Sequence, residues 1–158
     1  LTKEDFSEKL NQQNILEIPV YYGETAGWDL QNLTTKLELT IEEIISLHSK
    51  KVYHAYALGF TPGFCYLASL EPSIQVPRKA KPRLAIPQGA VAIADQQTAV
   101  YPIKSPGGWH IIGQTPMAMF SASEDDFSSA ISVGQQVTFK AIGYEEFQSL
   151  GGVVEEEC

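Results

Sequence analysis

The sequence predicts a mainly β protein with some α structure, in which short strands close into an antiparallel barrel. Apolar runs of strand length follow one another after Lys51, and each is bounded by Pro, Gly or a polar turn. Segments with helical periodicity lie before and after these runs. Short strands at this spacing are typical of a closed or nearly closed barrel. With 158 residues, the chain is long enough for one domain with a real core.

The first third of the chain is predicted to hold one strand and three helices. Residues 2–12 are predicted as a helix and 15–22 as a strand that ends at a glycine. Leucines recur at helical spacing in 29–37, where Asp29 is the predicted N-cap. Thr and Glu stand three residues apart at the start of 40–49, which predicts a capping box and a third helix.

The rest of the chain is predicted to consist mainly of strands. Residues 125–131 are predicted as one or two helical turns and 144–150 as a weak terminal helix. The predicted strands are 53–59, 90–94, 99–103, 109–112, 117–120 and 136–142.

Composition excludes several classes of function. The net charge of −8 argues against a nucleic-acid partner, because phosphate binding needs a basic face. No apolar run approaches the roughly 20 residues that span a bilayer, so no membrane interaction is expected. Cys65 and Cys158 match neither a zinc nor a Cys-x-x-Cys spacing, and a cytoplasmic protein with reduced thiols is the expectation. Cys65 is interpreted as a small buried thiol, with a nucleophile as the less favoured alternative.

Aromatic residues stand beside Pro-Gly turns between residues 53 and 115. Ordinary surface turns carry polar residues, so this pattern indicates the wall of a pocket or an interface. The alternative is that these rings cap the ends of the barrel core. The aromatic residues concerned are Phe60, Phe64, Tyr66 and Trp109.

A short basic run, residues 77–83, interrupts an otherwise acidic chain. Arg78 and Arg83, each preceded by a proline, could receive a carboxylate or a carboxyphosphate-like group through bidentate hydrogen bonds. A solvated loop with surface ion pairs is the alternative. Gln97 and Thr98, predicted in a turn between strands, could supply hydrogen bonds to an amide.

No self-sufficient catalytic set is apparent in the sequence. His48, His54 and His110 lack metal-ligand spacing, so no metal is expected. Neither a Gly-x-Ser-x-Gly elbow nor a phosphate-binding Walker loop occurs. Catalytic residues cannot be assigned, no cofactor is expected to bind this chain alone, and the pattern favours a binding subunit or half of a shared active site.

A set of motifs between residues 17 and 141 resembles the allophanate hydrolase subunit 1 family, whose members include the B component of 5-oxoprolinase and the sporulation-kinase inhibitor KipI. The matching runs are Ile18-Pro19-Val20-Tyr21-Tyr22-Gly23, Leu47-His48-Ser49, Leu58-Gly59-Phe60-Thr61-Pro62-Gly63-Phe64-Cys65-Tyr66-Leu67, Pro77-Arg78, Pro82-Arg83, Val91-Ala92-Ile93-Ala94, Gln97-Thr98, Tyr101-Pro102, Ser105-Pro106-Gly107-Gly108-Trp109, Ile112-Gly113 and Thr115-Pro116.

The resemblance implies a cyclophilin-like β-barrel that forms the C-terminal domain of the family. Residues 15–143 would be this domain, 1–14 a linker or a remnant of a small N-terminal α/β domain, and 144–158 a C-terminal tail. The expected cleft or substrate-binding residues are Phe60, Pro62, Gly63, Phe64, Tyr66, Arg78, Arg83, Gln97, Thr98, Tyr101, Pro106, Gly107, Gly108, Trp109 and Thr115.

The resemblance also implies a function that requires partners. The chain would be a subunit of an ATP-dependent 5-oxoprolinase, which converts 5-oxoproline, ATP and water to glutamate, ADP and phosphate. Its partner would be the homologous subunit 2 barrel (the KipA-like C component), and ATP is expected for the complex. The alternative is a KipI-like regulator that binds and inhibits a sensor histidine kinase without catalysis. A peptidyl-prolyl isomerase, suggested by fold alone, is disfavoured.

The chain departs from the family pattern at several positions. Asp95 and Ala99 stand where glycine is common, and Gln114 stands where arginine is common. The run Gly23-Glu24-Thr25-Ala26-Gly27-Trp28 replaces a glycine-rich run of the relatives.

Overall fold

The computed structural model describes residues 15–59, 64–118, 120–123, 126–129, 131 and 133–157. Helices in this part are α1 (Leu30–Leu37), α2 (Ile41–Ser49) and α3 (Tyr144–Ser149), with a 3-10 turn at Pro72–Ile74. The strands are β1 (Ile15–Tyr21), β2 (Tyr53–Leu58), β3 (Cys65–Ala68), β4 (Arg83–Ile86), β5 (Ala90–Ala94), β6 (Gln97–Val100), β7 (Ser105–Gly107), β8 (His110–Gln114), β9 (Phe120–Ser123), β10 (Asp126–Ser129) and β11 (Gln136–Ile142).

The predicted closed barrel is confirmed. Seven strands form the barrel in the order β1-β11-β2-β3-β6-β5-β8, and the pairing of Tyr21 with Gln114 closes it by joining β1 to β8. β1 runs parallel to β11, which departs from the expected antiparallel pattern, while the other barrel pairs are antiparallel. Two small antiparallel sheets, β4–β7 and β9–β10, lie outside the barrel.

Strand β5 separates two apolar clusters. Successive side chains of a strand point to opposite faces, so Val91 and Ile93 join one cluster while Ala90, Ala92 and Ala94 join the other. Every residue of β5 is fully buried. The first cluster takes in residues of the barrel strands and of α1 and α2, and the second lies beneath the aromatic residues of the turns.

The predicted N-cap positions of α1 and α2 are confirmed, but only one of the two side chains caps its helix. At α2, Thr40 Oγ1 accepts the amide of Glu43 at 3.1 Å, and Glu43 Oε1 accepts the amide of Thr40 at 3.2 Å, which completes the capping box. At α1, Asp29 occupies the N-cap position but its side chain makes no capping hydrogen bond. Its carboxylate is used elsewhere, as described below.

Several predicted elements need correction. The expected helical turns at 125–131 include strand β10, and the strand expected at 117–120 is replaced by β9, which begins at Phe120. Strand β6 begins at Gln97, so Gln97 and Thr98 do not form a turn. Strands β3, β4 and β7 were not predicted, because three or four residues carry too little periodicity to show a strand. The predicted helix at 2–12 and the predicted segment boundary at 1–14 lie outside the described residues.

The buried side chain of His48 links helix α2 to the barrel through hydrogen bonds. His48 is fully buried, and its Nε2 lies 2.9 Å from Thr98 Oγ1, which itself donates to the carbonyl of Ala92 at 2.8 Å. Since that hydroxyl proton is used, Nε2 must carry the ring proton and Nδ1 must accept from Tyr22 Oη at 2.6 Å. Burial lowers the pKa of His48 to about 3, so the ring stays neutral.

We expect stability to fall as the pH is lowered, because His48 must stay neutral in the fold. Its pKa is about 3 in the folded chain and about 6.5 when unfolded, so the stabilisation is complete above pH 6.5. It is lost as the pH falls from 6.5 toward 3, by up to about 1.4 kcal/mol per pH unit. Urea unfolding at pH 7 and pH 5 measures the loss, and His48→Gln, with no titrating ring, is the control. Equal pH slopes in the two proteins would contradict the assignment.

Candidate functional site

A buried carboxylate ties the start of α1 to the barrel and to the basic run. Asp29 is 1% exposed. Its Oδ2 accepts the backbone amide of Ile111 in β8 at 2.6 Å, and its own amide donates to the Ile111 carbonyl at 2.9 Å. Arg83 Nη1 and Nη2 bind the two carboxylate oxygens at 2.7 and 2.9 Å, and Lys79 Nζ adds a contact of 2.9 Å.

Asp29 is charged in spite of its burial. Burial alone would raise the pKa of Asp29, but the hydrogen bonds from Arg83, Lys79 and the Ile111 amide outweigh it and hold the pKa below its ordinary value. A buried charge with this many donors fixes the position of each donor. The basic run is therefore held against α1 instead of standing free in solvent.

Arg83 uses two edges of its guanidinium for two different carboxylates. The Nη1–Nη2 edge binds Asp29, and Nε donates to Glu157 in the segment after α3. The guanidinium lies over the indole of Trp28, with Cζ 5.2 Å from the ring centroid. The side chain of Arg83 is only 13% exposed.

A cleft of about 570 Å³ opens beside Arg83. Its lining consists of Trp28, the β4 region, the loop that carries Ile103 and Lys104, and the segment 155–157. This volume is in the range of pockets that take small molecules. Two cations, Arg83 and Lys104, and the three glutamates of 155–157 all line the cleft, and Arg83 and Glu157 contact each other within it.

A second opening of about 530 Å³ lies on the other side of Asp29. Lys36, Lys79, Lys81 and His110 are among the residues that line it. The Nε2 of His110 donates to the Pro77 carbonyl at 2.8 Å, and burial lowers the pKa of this ring. The opening is cationic in an otherwise acidic protein.

The aromatic residues of the turns pack against one another. Phe64 contacts Tyr66, Tyr101 and Trp109, with ring centroids 5.0, 5.3 and 5.7 Å away. Phe64, Tyr101 and Trp109 are buried, whereas Tyr66 is half-buried. Arg78 lies over Trp109, with Cζ 5.7 Å from the ring centroid. This aromatic cluster is a core with one accessible edge, which is the alternative that the sequence left open.

The comparisons with known proteins agree with this fold. Residues 1–130 match the carboxyltransferase domain family, subdomains C and D. The chain belongs to this family. It is 39% identical to the B component of 5-oxoprolinase from Bacillus subtilis, covering 93% of this chain and 64% of that protein. It is 42% identical to the B component of 5-oxoprolinase from Escherichia coli O157:H7, covering 76% of this chain and 56% of that protein.

A solved structure confirms the barrel. The crystal structure of a conserved uncharacterized protein from Pyrococcus horikoshii matches with a TM-score of 0.83 at 39% identity, covering 90% of this chain and 66% of that one. The resemblance inferred from the sequence motifs is thus confirmed. The chain spans less than two thirds of the length of the 5-oxoprolinase relatives it matches.

The expected cleft residues of this carboxyltransferase-family domain fall into separate groups. Thr98 is fully buried in the His48 network, so it does not line an open cleft, and Thr115 is buried and accepts the Met117 amide. Gln97 contacts the hydroxyl of Tyr56 at the surface. Pro106 is exposed, Gly107 and Gly108 are half-buried, and a Cβ at Gly107 would collide with the Tyr101 hydroxyl. Phe60, Pro62 and Gly63 lie outside the described residues.

The two arginines differ from expectation and from each other. Arg78 is half exposed and faces Asp95 at 3.7 Å, close to the surface ion pair of the alternative interpretation. Arg83 lines a cleft, but it is largely buried and both of its edges are occupied by carboxylates of this chain. Its binding of an external anion stays a prediction.

Sequence reasoning missed Trp28, Asp29 and Glu155 as members of the site, although Asp29 was recognised as an N-cap. Gln114 had one signal, its departure from the family's arginine. In the described part of the chain, no three His, Cys, Asp or Glu side chains are grouped to hold a metal ion. Within those same residues, no helix is long and apolar enough to cross a membrane.

We expect Asp29→Asn to lower the free energy of unfolding by about 3–5 kcal/mol, because it leaves Arg83 and Lys79 without their buried carboxylate. Asp95→Asn is the matched control, since its ion pair with Arg78 is 57% exposed on both sides and should contribute less than about 1 kcal/mol. Chemical denaturation of both variants measures the difference. Similar losses for the two would show that Asp29 has no special structural role.

Proposed function

We propose that this chain is the B component of an ATP-dependent 5-oxoprolinase and acts only with a homologous subunit 2 barrel. The observation that carries the proposal is 39–42% identity to relatives that bear this name. Those relatives are named as subunits, which supports a complex of several chains. The proposed reaction converts 5-oxoproline, ATP and water to glutamate, ADP and phosphate.

The chemistry of the described residues supports dependence on a partner. His48 is buried and neutral, and burial raises the pKa of the Cys65 thiol to about 11, so neither group is poised for proton transfer or attack near neutral pH. Asp29 is committed to four hydrogen bonds inside the fold. The acid, base and nucleophile that the described residues do not supply would come from the second barrel and from the substrates.

Apolar side chains at the rim of the cleft support a contact surface for that partner. Leu84 is 94% exposed on β4, and Ile103 is 39% exposed on the facing loop. Together these two side chains offer apolar surface at the rim of the cleft that a partner could bury. A partner that covers this rim would also close the cleft against water.

The proposed function is tested by coexpressing the chain with its subunit 2 homologue and measuring ATP hydrolysis that depends on 5-oxoproline. We expect turnover in the assembled complex and none in the isolated chain, since the described residues hold no pair of nucleophile and base. Turnover by the isolated chain would refute dependence on a partner. A stable complex without 5-oxoproline-dependent hydrolysis would favour the KipI-like alternative.

The partner surface is tested by Leu84→Glu. A charge at the rim should weaken assembly at least tenfold, about 1.4 kcal/mol or more, because a buried unpaired carboxylate opposes the interface. The melting temperature of the isolated chain should not change, since Leu84 contributes little when 94% exposed. Val133→Glu, also exposed but away from the cleft, is the control. Unchanged affinity in Leu84→Glu would remove Leu84 from the interface.

A further inference from the structure

The segment after α3 docks on the barrel through its backbone. The Glu155 carbonyl accepts from Gln114 Nε2 at 2.7 Å and from Trp28 Nε1 at 2.9 Å. The Glu155 amide donates to Gln114 Oε1 at 3.0 Å. A buried carboxamide therefore pairs with both polar groups of one residue, as a neighbouring strand would.

The Gln114 carboxamide is held in place for this pairing. It is 2% exposed, and its Nε2 lies 3.4 Å from the Ala26 carbonyl. That contact places the amide nitrogen toward Ala26 and Glu155, which leaves the oxygen free to accept from the Glu155 amide. Trp28 and Gln114 thus form a binding site for the backbone of one residue, and their hydrogen bonds do not depend on the side chain of that residue.

The carboxylate of Glu157, two residues further along the chain, is bound separately. Glu157 binds Nε of Arg83, while the opposite edge of that guanidinium is held by Asp29. The Glu157 carboxylate therefore lies two residues after the backbone unit that Gln114 and Trp28 bind. We call the surface formed by Trp28, Arg83 and Gln114 the acidic-strand groove. It binds one backbone unit and one carboxylate.

The docked segment is a unit separate from helix α3. The helix is anchored to β1 by Phe147, which is buried and lies 5.6 Å from the Tyr21 ring. Gly151 then turns the chain with φ of +92°, which a residue with a Cβ rarely adopts, and residues 155–157 are exposed at their outer face. The anchor and the docked segment are therefore joined by a glycine turn, and the segment can leave the groove without moving the helix.

We propose that the acidic-strand groove is a binding site for a segment of a partner chain that carries a glutamate two residues after the residue whose backbone Gln114 and Trp28 bind, and that residues 155–157 occupy the groove in cis. The occupant seen in the structure supplies the recognition chemistry: a backbone amide and carbonyl for Gln114 and Trp28, and a carboxylate for Arg83. An arriving segment reproduces these contacts and displaces 155–157. Displacement also removes the glutamates from the lining of the adjacent cleft.

The cis segment is a strong competitor because it is tethered. A short flexible tether gives an effective concentration on the order of 1 mM. A free segment with the same contacts must exceed that concentration, or the tether must be removed, before it is seen to bind. The test therefore compares the full chain with a chain that ends after Gly152.

The probe is a fluorescein-labelled peptide with the sequence of residues 153–157, Val-Val-Glu-Glu-Glu, followed by fluorescence anisotropy. We expect it to bind the shortened chain and to bind the full chain at least tenfold more weakly. N-methylation at Glu155 or Glu157→Gln in the peptide should weaken binding at least tenfold. N-methylation at Glu156 or Glu156→Gln are the matched controls and should change binding less than threefold, because Glu156 supplies none of the contacts that define the groove.

A second measurement uses the full-length chain. Hydrogen exchange of the Glu155 amide should be at least tenfold faster in Glu157→Gln than in Glu156→Gln, because loss of the Arg83 contact releases the segment. Equal exchange in the two variants, or equal effects of N-methylation at Glu155 and Glu156, would overturn the proposal. Binding of 5-oxoproline, but not of the peptide, to the shortened chain would overturn it as well. None of these measurements depends on turnover, so they stand apart from the proposed enzyme function.

Discussion

The buried carboxylate of Asp29 is the interaction on which the rest of the structure depends. It links α1, strand β8 and the basic run, three parts of the chain that share no continuous strand pairing. Without it, Lys79 would lose the carboxylate that it contacts and Arg83 would keep only Glu157. The two openings on either side of Asp29 owe their shape to it, because the same carboxylate lines one and positions the guanidinium that lines the other.

A second constraint on the structure is the limited space beside the aromatic cluster, which small residues fill. Ala90, Ala92, Ala94 and Ala99 are all fully buried under the aromatic cluster, where larger side chains would displace Tyr101 and Trp109. Asp95 has a φ of +53°, a conformation that Asp tolerates better than most residues.

The sequence was sufficient for elements with clear local signals. Helix α2 was predicted from the capping box of Thr40 and Glu43, and the long strands β1, β5 and β11 from their apolar runs. Strands β9 and β10 were not found, because a four-residue strand depends on its partner more than on its own pattern. The candidate site was harder to predict from the sequence than the short strands were. Asp29 and Arg83 are 54 residues apart, and no local rule pairs an N-cap with a distant guanidinium.

A glutamine at position 114 suits the backbone of Glu155 better than an arginine would. A guanidinium only donates, so it could satisfy the Glu155 carbonyl but would leave the Glu155 amide without an acceptor. A carboxamide supplies the donor and the acceptor together, which matches the pair of contacts at 2.7 and 3.0 Å. Gln114 also carries no charge, so Arg83 remains the cation that Glu157 meets. The glutamine at position 114 therefore favours a backbone unit over a bare anion.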